Sequence, residues 1–527
     1  MYHEGNSKNV IIVGAGPAGL TAAYRLLKAR PETRVLLFEE TALTGGISTT
    51  IEHNGNRIDI GGHRFFSKSP LVNALWRELL PTQGAPSKDD AILGTEKSFL
   101  QGGPDPEKTD IVMLIRERVS RIFYRRRFFD YPISISTATF INMGLLNTVV
   151  AGFSYLYSSV FKRDEKSLED FYINRFGKKL YKLFFEHYTE KVWGVHPSAL
   201  SASWGAQRVK TLSLVTIAKE MLLKFLSPSY QSKQTSLIER FHYPKLGPGQ
   251  LWAVMAQKVA EMAEKSGGGI FYNAAVTGLS ISDGRVTEVE VKSNGASQKY
   301  PVEFLFSTMP VKDLVCAMGS NVPEKIGQVA ANLPYRDFIT VGLLVKKLRL
   351  KNKTNIKTVG NIVPDCWIYI QERDVKIGRL QIFNNWSPYM VKDFQNTVWI
   401  GLEYFCNEGD DLWGMDREKF ISFAIDELVK IDIIERGDVL DANQVKVKKA
   451  YPAYFGAYDD FPVVREYLDG VGNLFCIGRN GQHKYNNMDH SMLTAVKAVE
   501  VMLGGEGGKS AIWDVNTEEE YHESQNK

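Results

Sequence analysis

The N-terminal segment alternates short apolar runs with one amphipathic helix. Residues 10–13 (VIIV) form a continuous apolar run, and residues 34–40 (RVLLFEE) form a second run that ends in two acids. Between them, a glycine-rich turn opens a segment whose apolar positions recur at helical spacing. This order predicts a strand–helix–strand unit at the start of a parallel sheet.

Two later regions predict strands that return to that sheet. Residues 267–310 alternate apolar and polar positions, which predicts a small antiparallel sheet followed by the strand FLFST. Residues 248–263 are predicted as a helix, and residues 474–477 as a strand before the Gly478-Arg479 turn and a C-terminal amphipathic helix.

Residues 134–161 contain no charged side chain, and basic residues flank them on both sides. A membrane-spanning helix needs about 20 predominantly apolar residues, whereas serine, threonine, Asn142 and Asn147 dilute this stretch. The pattern favours one or two helices that are buried or lie on the surface, with peripheral membrane contact as the alternative.

Composition limits the classes of function. The 527 residues carry a net charge of +4, which gives no indication of nucleic-acid binding. The 4 cysteines are far apart in sequence, so a CxxC pair or zinc knuckle is excluded, no metal site is predicted, and reduced, buried thiols are expected. The polar N-terminus has no signal-peptide core, so we expect a cytoplasmic protein, with membrane association as the alternative.

The glycine-rich turn has the spacing of a dinucleotide site. Gly14 permits the tight turn, Gly16 lets a pyrophosphate approach the backbone, and Gly19 lets the helix pack on the strand. The helix N-terminus offers unpaired N–H groups to the phosphates. Glu39 lies about 20 residues further on, where an acid accepts hydrogen bonds from ribose hydroxyls. The remaining members of this predicted site are Pro17, Ala18 and Glu40.

Two further glycine pairs, Gly45-Gly46 and Gly61-Gly62, favour FAD over NAD, because each lets the backbone pass close to a flat group. The motif L-x-GG followed by D-x-GG-H resembles the flavoprotein family that includes amine oxidases, protoporphyrinogen oxidase and UDP-galactopyranose mutase. This resemblance implies that the C-terminal strand and helix return to the flavin. The further FAD contacts that it implies are Ile47, Ser48, His63, Val276, Gly478, Arg479, Met488, Asp489 and Ser491.

We therefore predict an α/β fold: a Rossmann-type FAD-binding domain with an inserted substrate domain of helices and antiparallel sheet. The FAD-binding domain is predicted at 1–75, 245–315 and 460–510, and the substrate domain at 76–244 and 316–459. A flexible tail is predicted at 511–527. Since the chain has one complete glycine fingerprint, NAD(P)H would dock only transiently, as a reductant.

Four segments resemble UDP-galactopyranose mutases more specifically: 166–209, 242–259, 366–390 and 478–492. The last two look closest to the eukaryotic mutases. The resemblance implies a nucleotide-diphosphate sugar as substrate and FAD in its reduced form, acting as a nucleophile without net redox.

Carried over by position, three residues would hold the diphosphate: Arg208, Tyr451 and Tyr485. Arg479 would lie by the flavin, and His63 would lie over the isoalloxazine face. These residues also have structural interpretations, as a surface ion pair, half-buried packing tyrosines and a core histidine.

Two departures weaken the assignment of UDP-galactose. The mutases carry a second arginine on the strand that corresponds to residues 339–347, where this chain has Gly342 and the nearest cations are Lys346 and Lys347. The uridine-binding segment is YPIS here (131–134), without its glutamine, and a hydroxyl cannot replace both the donor and the acceptor of an amide. The basic run 116–127 would supply phosphate contacts instead, or would form a solvated face.

Two functions remain in competition. The first is a mutase-like flavoenzyme that acts on a nucleotide- or lipid-linked sugar in glycan biosynthesis. The second is a net-redox FAD-dependent oxidoreductase, similar to protoporphyrinogen oxidase, a desaturase or an amine oxidase, on a hydrophobic or amine substrate. The fingerprint with Glu39 disfavours a third class, the flavin-free GDP-dissociation inhibitors that share this fold.

Overall fold

The computed structural model describes residues 9–131, 133, 137–202 and 240–515. The strands are β1 Val10–Val13, β2 Val35–Phe38, β3 Thr50–His53, β4 Asn56–Asp59, β5 Met113–Glu117, β6 Ser120–Tyr124, β7 Arg127–Asp130, β8 Arg240–Pro244, β9 Gly269–Phe271, β10 Ala274–Ser282, β11 Arg285–Ser293, β12 Ala296–Pro301, β13 Phe304–Ser307, β14 Tyr335–Val345, β15 Trp367–Ile370, β16 Arg379–Ile382, β17 Val398–Cys406, β18 Val439–Pro452 and β19 Leu474–Cys476.

The helices lie mainly between these strands. They are α1 Pro17–Ala29, α2 Pro70–Leu79, α3 Lys88–Leu93, α4 Thr137–Met143, α5 Leu145–Val160, α6 Leu168–Leu180, α7 Glu186–Trp193, α8 Pro248–Glu264, α9 Val311–Ala317, α10 Glu324–Ala331, α11 Phe383–Trp386, α12 Asp411–Gly414, α13 Arg417–Lys430, α14 Phe461–Gly470, α15 Gly478–Gly481, α16 Met488–Met502 and α17 Ser510–Trp513.

A parallel sheet forms the centre of the nucleotide-binding part of the fold. Its strand order is β19-β13-β1-β2-β9, and β1 is paired in parallel with both β2 and β13. Helices α1, α8 and α16 cover one face, and the sheet β10-β11-β12 with α9 and α14 covers the other. Strands β1, β2 and β19 are continuous apolar runs because both of their faces are buried. This arrangement confirms the predicted Rossmann unit, the returning strands and the α/β fold class.

A second sheet, with the order β18-β14-β17-β16-β15-β6-β7, lies beside the first. Its neighbours pair antiparallel except for β15 and β6, which run parallel. Helix α13 packs on one face of this sheet, in a cluster of isoleucine, leucine and valine side chains. The inserted region is therefore a sheet with attached helices, and its domain boundaries stay a prediction.

The uncharged stretch forms two helices, α4 and α5, within the part of it that the structure describes. Much of their apolar surface faces solvent: Leu145, Leu146 and Phe153 are 82%, 77% and 70% exposed. The surface-helix interpretation is therefore right, and the buried alternative is wrong. Across the described ranges of the chain, no helix has both the length and the apolar character needed to cross a bilayer.

Two expectations about the periphery need correction. The predicted flexible tail begins with a packed helix, because Ile512 and Trp513 are buried and Lys484 Nζ donates to the carbonyl of Trp513 at 2.9 Å; residues 516–527 lie outside the described part. The cysteines are free thiols, but Cys316 is exposed instead of buried.

Candidate functional site

Of the three glycines in the first loop, only Gly16 has free space at the position of a side chain. Gly14 has a φ of +96°, and a Cβ there would lie 2.0 Å from Thr308 Oγ1. A Cβ on Gly19 would lie 1.9 Å from the Gly14 carbonyl, so the helix could not approach the strand. A Cβ on Gly16 would meet only the Gly46 backbone, at 3.9 Å. The backbone at Gly16 is therefore open to an approaching group, directly before the helix that starts at Pro17.

The pair Gly45-Gly46 faces the first glycine loop. The Gly45 N–H donates to the Ala15 carbonyl at 2.9 Å, and Gly45 has a φ of +98°. The 3₁₀ turn that follows contains Gly46, Ile47 and Ser48. Trp252 packs against Gly45, and its buried Nε1 has no acceptor among the described residues.

Glu39 is buried at the end of β2. Its Oε2 accepts from the Ala15 N–H at 2.8 Å, and its Oε1 accepts from the Thr41 N–H at 2.9 Å and the Thr41 hydroxyl at 2.7 Å. A carboxylate has about four acceptor positions, so two ribose hydroxyls would fit once the Thr41 hydroxyl turns away. Glu40, the next residue, is exposed.

The C-terminal strand and helix complete this cradle. Gly478 has a φ of +76°, and a Cβ there would lie 2.9 Å from the Ala18 Cβ. Helix α16 begins at Met488, and Asp489 in its first turn accepts from the Ser67 hydroxyl at 2.9 Å. Of the remaining predicted contacts, Ser491 lies in the first turn of α16, Arg479 lies in α15 and Val276 lies in β10. An open glycine backbone, a helix N-terminus and a buried unpaired donor fit a bound dinucleotide such as FAD.

The D-x-GG-H segment connects this cradle to the second sheet. Asp59 is buried and accepts from the Thr50 hydroxyl at 2.8 Å and from the Tyr243 hydroxyl. Burial raises the pKa of Asp59 to about 7. A Cβ on Gly62 would lie 2.5 Å from the Trp367 ring, so the glycine lets an indole of β15 pack on this segment. Gly61 takes a φ of +82°.

His63 is half-buried above that segment. Its Nδ1 lies 3.0 Å from the Gly61 carbonyl, and because a carbonyl only accepts, Nδ1 carries the proton. Burial, together with the charge of Arg479, lowers the pKa of His63 to about 4. The imidazole is therefore neutral at pH 7, and its Nε2 is an acceptor.

Two tyrosines and an arginine stack beside His63. The rings of Tyr451 and Tyr485 lie 5.6 Å apart at 21°, and the Arg479 guanidinium lies 4.6 Å from the Tyr485 ring centre. Arg479 donates to the carbonyls of Ala450 and Asn486, and it makes no ion pair with a carboxylate in the ranges described. The structure thus brings together four residues that the sequence placed in the site.

Arg379 joins this cluster and was not predicted. Its Nη1 lies 3.1 Å from Glu403 Oε2, and its Nε donates to the Tyr188 hydroxyl at 3.0 Å. Tyr451 OH lies 3.5 Å from the same Nη1. Burial acts against the charge of Arg379, but Tyr188, Glu403 and Tyr451 outweigh it and raise its pKa.

Tyr188 and Tyr451 keep their protons at pH 7. Burial raises the pKa of Tyr188 to about 12, although Arg379 opposes the shift, and burial also raises the pKa of Tyr451. Two guanidinium groups, one carboxylate and protonated phenols therefore converge here, which leaves the cluster with one excess positive charge. Such a site favours an anionic ligand.

Comparison with known proteins agrees with this architecture. The family of NAD(P)-binding Rossmann-like domains matches residues 12–79. A crystal structure of reduced UDP-galactopyranose mutase superposes with a TM-score of 0.74, at 19% identity, over 98% of this chain and 100% of that one. This chain has the mutase fold.

Other enzymes share that fold with lower structural similarity. A putative protoporphyrinogen oxidase from Exiguobacterium sp. 255-15 gives a TM-score of 0.63 at 15% identity, over 94% of this chain and 99% of that one. Putrescine oxidase gives 0.56 at 13% identity, over 94% and 99%. Coproporphyrinogen III oxidase from Mycobacterium leprae is 38% identical over 74 residues, which is 14% of this chain and 16% of that protein. The chain therefore matches about a sixth of the length of its curated relatives.

Within the mutase fold, the missing strand arginine has a steric cause. A Cβ on Gly342 would lie 2.6 Å from the Trp399 ring, so no arginine fits at this position of β14. Lys346 and Lys347 follow the end of the strand and are exposed. Arg379 occurs two strands away in the same sheet. Its only sequence signal is its place in the mutase-like segment 366–390.

Some of the remaining candidate residues lie outside the described ranges, and others form ion pairs. Arg208 lies outside the described residues, as do Pro132 and Ser134 of the YPIS segment. In the basic run, Arg116 pairs with Asp89 at 2.6 Å and Arg121 pairs with Asp365 at 2.5 Å. These two arginines therefore form structural ion pairs. The run was expected to contact phosphate or to form a solvated face, and neither expectation is correct for Arg116 and Arg121.

Proposed function

We propose that this chain is an FAD-dependent enzyme that acts on a nucleotide-diphosphate sugar, or on a lipid-linked sugar, in glycan biosynthesis. The observation that carries the proposal is the cationic cluster of Arg379, Arg479, Tyr451 and Tyr485 next to His63. A buried excess of positive charge suits a diphosphate better than it suits an amine. The mutase fold supports the same assignment.

The residues of the cluster would act on the leaving diphosphate. Reduced FAD, when bound, would supply a nucleophilic N5 for the anomeric carbon. Arg379 is held by Glu403 and Tyr188 before any ligand arrives, so it needs no rearrangement to stabilise the departing charge. Preorganised donors of this kind typically contribute about 3 kcal/mol each. Tyr451 and Tyr485 would add phenol donors, and Arg208 is proposed as the second diphosphate cation.

The test uses the enzyme reduced with dithionite under anaerobic conditions. A UDP-sugar that carries a radiolabel in the sugar is added, the mixture is treated with borohydride, and the flavin is separated by chromatography. We expect the label to co-elute with flavin and the sugar to interconvert between ring forms. A colourless protein that cannot be reconstituted with FAD, or label that never reaches the flavin with any UDP-sugar tried, would contradict the proposal.

A net-redox flavoenzyme is the second candidate, and a specific observation favours it. Gly342 cannot be replaced by the mutase arginine because Trp399 fills that space. The charge of Arg379 is also partly neutralised by Glu403. Turnover that depends on dioxygen and needs no prior reduction would assign this second function. Such turnover would remain after Arg379→Met, since an amine or an apolar substrate does not need that cation.

A further inference from the structure

The outward face of α4 and α5 is apolar, whereas the inward face of α5 carries small residues. Leu145, Leu146 and Phe153 face solvent, while Ala151 and Ser158 are the buried positions of α5. A surface helix normally has the opposite arrangement. We call the exposed large apolar side chains of residues 140–161 the outer patch.

The outer patch rests on a firmly packed base. Met143 and Ala151 pack with Phe129 and Phe184 in one buried cluster. Gly177 has a φ of +77°, and a Cβ there would lie 2.7 Å from the Tyr155 backbone, so α6 lies directly against α5. The exposure of the patch is therefore a property of a formed surface.

Exposed cations border the outer patch. Arg127, the first residue of β7, donates from Nη1 to the Ile141 carbonyl at 3.3 Å, and Arg125 lies in the turn between β6 and β7. Lys178, at the end of α6, follows Gly177, and Lys182 lies in the π-helical turn Tyr181–Phe185. All four are exposed, and none makes an ion pair within the portion of the chain described. Residues 137–161 contain no acid.

We propose that the outer patch and its cationic border dock this protein on the surface of a bilayer that contains anionic lipid. An apolar face flanked by lysine and arginine is typical of helices that lie in the membrane interface. Helix α5 has 16 residues, or about 24 Å at 1.5 Å per residue. That length is shorter than the hydrocarbon core of about 30 Å, so a position in the interface suits it.

A second copy of the chain fits this surface less well. In a twofold dimer the same patch meets itself, so each cationic border would approach its own copy. Anionic headgroups instead complement that border, and each basic residue near such a surface strengthens binding by about fivefold.

The docked orientation relates the bilayer to the candidate site. Tyr131, directly after β7, packs on Tyr369 with the two rings tilted and their centres 4.3 Å apart. Tyr369 contacts Tyr188, whose hydroxyl accepts from Arg379. Tyr369 also packs on the buried cluster beneath the outer patch, so aromatic side chains connect that cluster with the cationic cluster. The docking proposal does not rest on the proposed flavin chemistry, because vesicle binding is measured without substrate.

Vesicle flotation of the full chain tests the proposal. We expect binding to vesicles of phosphatidylcholine mixed with phosphatidylglycerol, and weaker binding to phosphatidylcholine alone or in high salt. The combined substitutions Leu145→Ser, Leu146→Ser and Phe153→Ser should weaken binding more than tenfold. The matched control, Ile92→Ser with Leu440→Ser, removes apolar side chains that are exposed elsewhere and should bind like the wild type.

A charge variant separates the two contributions. Arg125→Gln with Lys178→Gln should weaken binding to the mixed vesicles by about fivefold per residue and leave binding to phosphatidylcholine unchanged. Wild-type protein that floats with neither vesicle would overturn the proposal. So would a dimer in sedimentation velocity that the triple substitution dissociates, because the patch would then belong to a second copy. Circular dichroism and thermal unfolding establish that each variant is folded.

Discussion

Replacing Glu403 with glutamine should weaken the fold and tighten the binding of an anionic ligand. Glu403 is fully buried and Arg379 is 12% exposed, with 3.1 Å between the charged atoms. At an effective dielectric constant of about 20, that pair interacts by about 5 kcal/mol. Loss of one partner from a buried pair typically costs about 3–5 kcal/mol. We therefore expect Glu403→Gln to lower the free energy of unfolding by a few kcal/mol.

The same substitution raises the net charge of the cluster by one unit. At about 6 Å and an effective dielectric constant of about 40, one charge changes the interaction with a phosphate by about 1.4 kcal/mol, or tenfold in affinity. UDP should therefore bind Glu403→Gln about tenfold more tightly, and Arg379→Met at least tenfold more weakly. Both variants should lose stability, because each leaves the other partner buried and unpaired.

Urea unfolding and isothermal titration calorimetry with UDP measure the two effects separately. The control is Asp426→Asn, which breaks the exposed pair between Asp426 and Arg436 and should change stability by less than about 1 kcal/mol. If Glu403→Gln binds UDP as weakly as Arg379→Met while both remain folded, the cluster does not act through its charge. The electrostatic argument for a diphosphate would then be refuted.

Three further substitutions test the cofactor cradle and the segment beneath it. Gly16→Val should abolish flavin binding, because the valine side chain would occupy the space over the backbone of residue 16, beside Gly46. Flavin absorbance after gel filtration measures this. Asp59→Asn should flatten the dependence of the unfolding free energy on pH. The pKa of Asp59 is raised to about 7 from an ordinary 3.8, so its protonated form favours folding below pH 4 and about 4 kcal/mol of stability is lost by pH 7. Urea unfolding at about pH 5 and pH 8 measures this, and an equal pH dependence in wild type and variant would contradict the reasoning. Gly62→Ala should lower the melting temperature by several degrees, since its Cβ would collide with Trp367; calorimetry that shows an unchanged transition would contradict the packing argument.

Local signals in the sequence were sufficient for the nucleotide-binding part. The turn at Gly14 to Gly19, the strands on either side and Glu39 lie close together in the sequence. The turn depends on the positive φ of Gly14 and on the absence of side chains at Gly16 and Gly19. The returning strands β13 and β19 were also predictable, because a strand that is buried on both faces is a short apolar run.

Long-range contacts were not predictable in the same way. Arg379 meets Glu403 because β16 and β17 pair antiparallel in that register, and a shift by one residue would point the two side chains to opposite faces. Asp59 and Tyr243 meet across 184 positions of sequence. A single sequence carries no register information of this kind, so the central pair of the candidate site became visible only in the structure.

The two glycine pairs also differ in what they accommodate. In the pair Gly45-Gly46, a Cβ on Gly46 would meet only Gly16, at 3.5 Å, so the close approach of this backbone to a flat ligand group stays a prediction. The second pair is explained at Gly62 by the Trp367 indole, which already occupies the position of the missing side chain. Trp367 belongs to β15 of the second sheet, and Arg379 lies next to its ring, at 5.0 Å. Gly62 therefore sets how closely the second sheet, with its arginine, approaches the cofactor cradle, and for that reason a change at Gly62 should alter anion binding as well as stability.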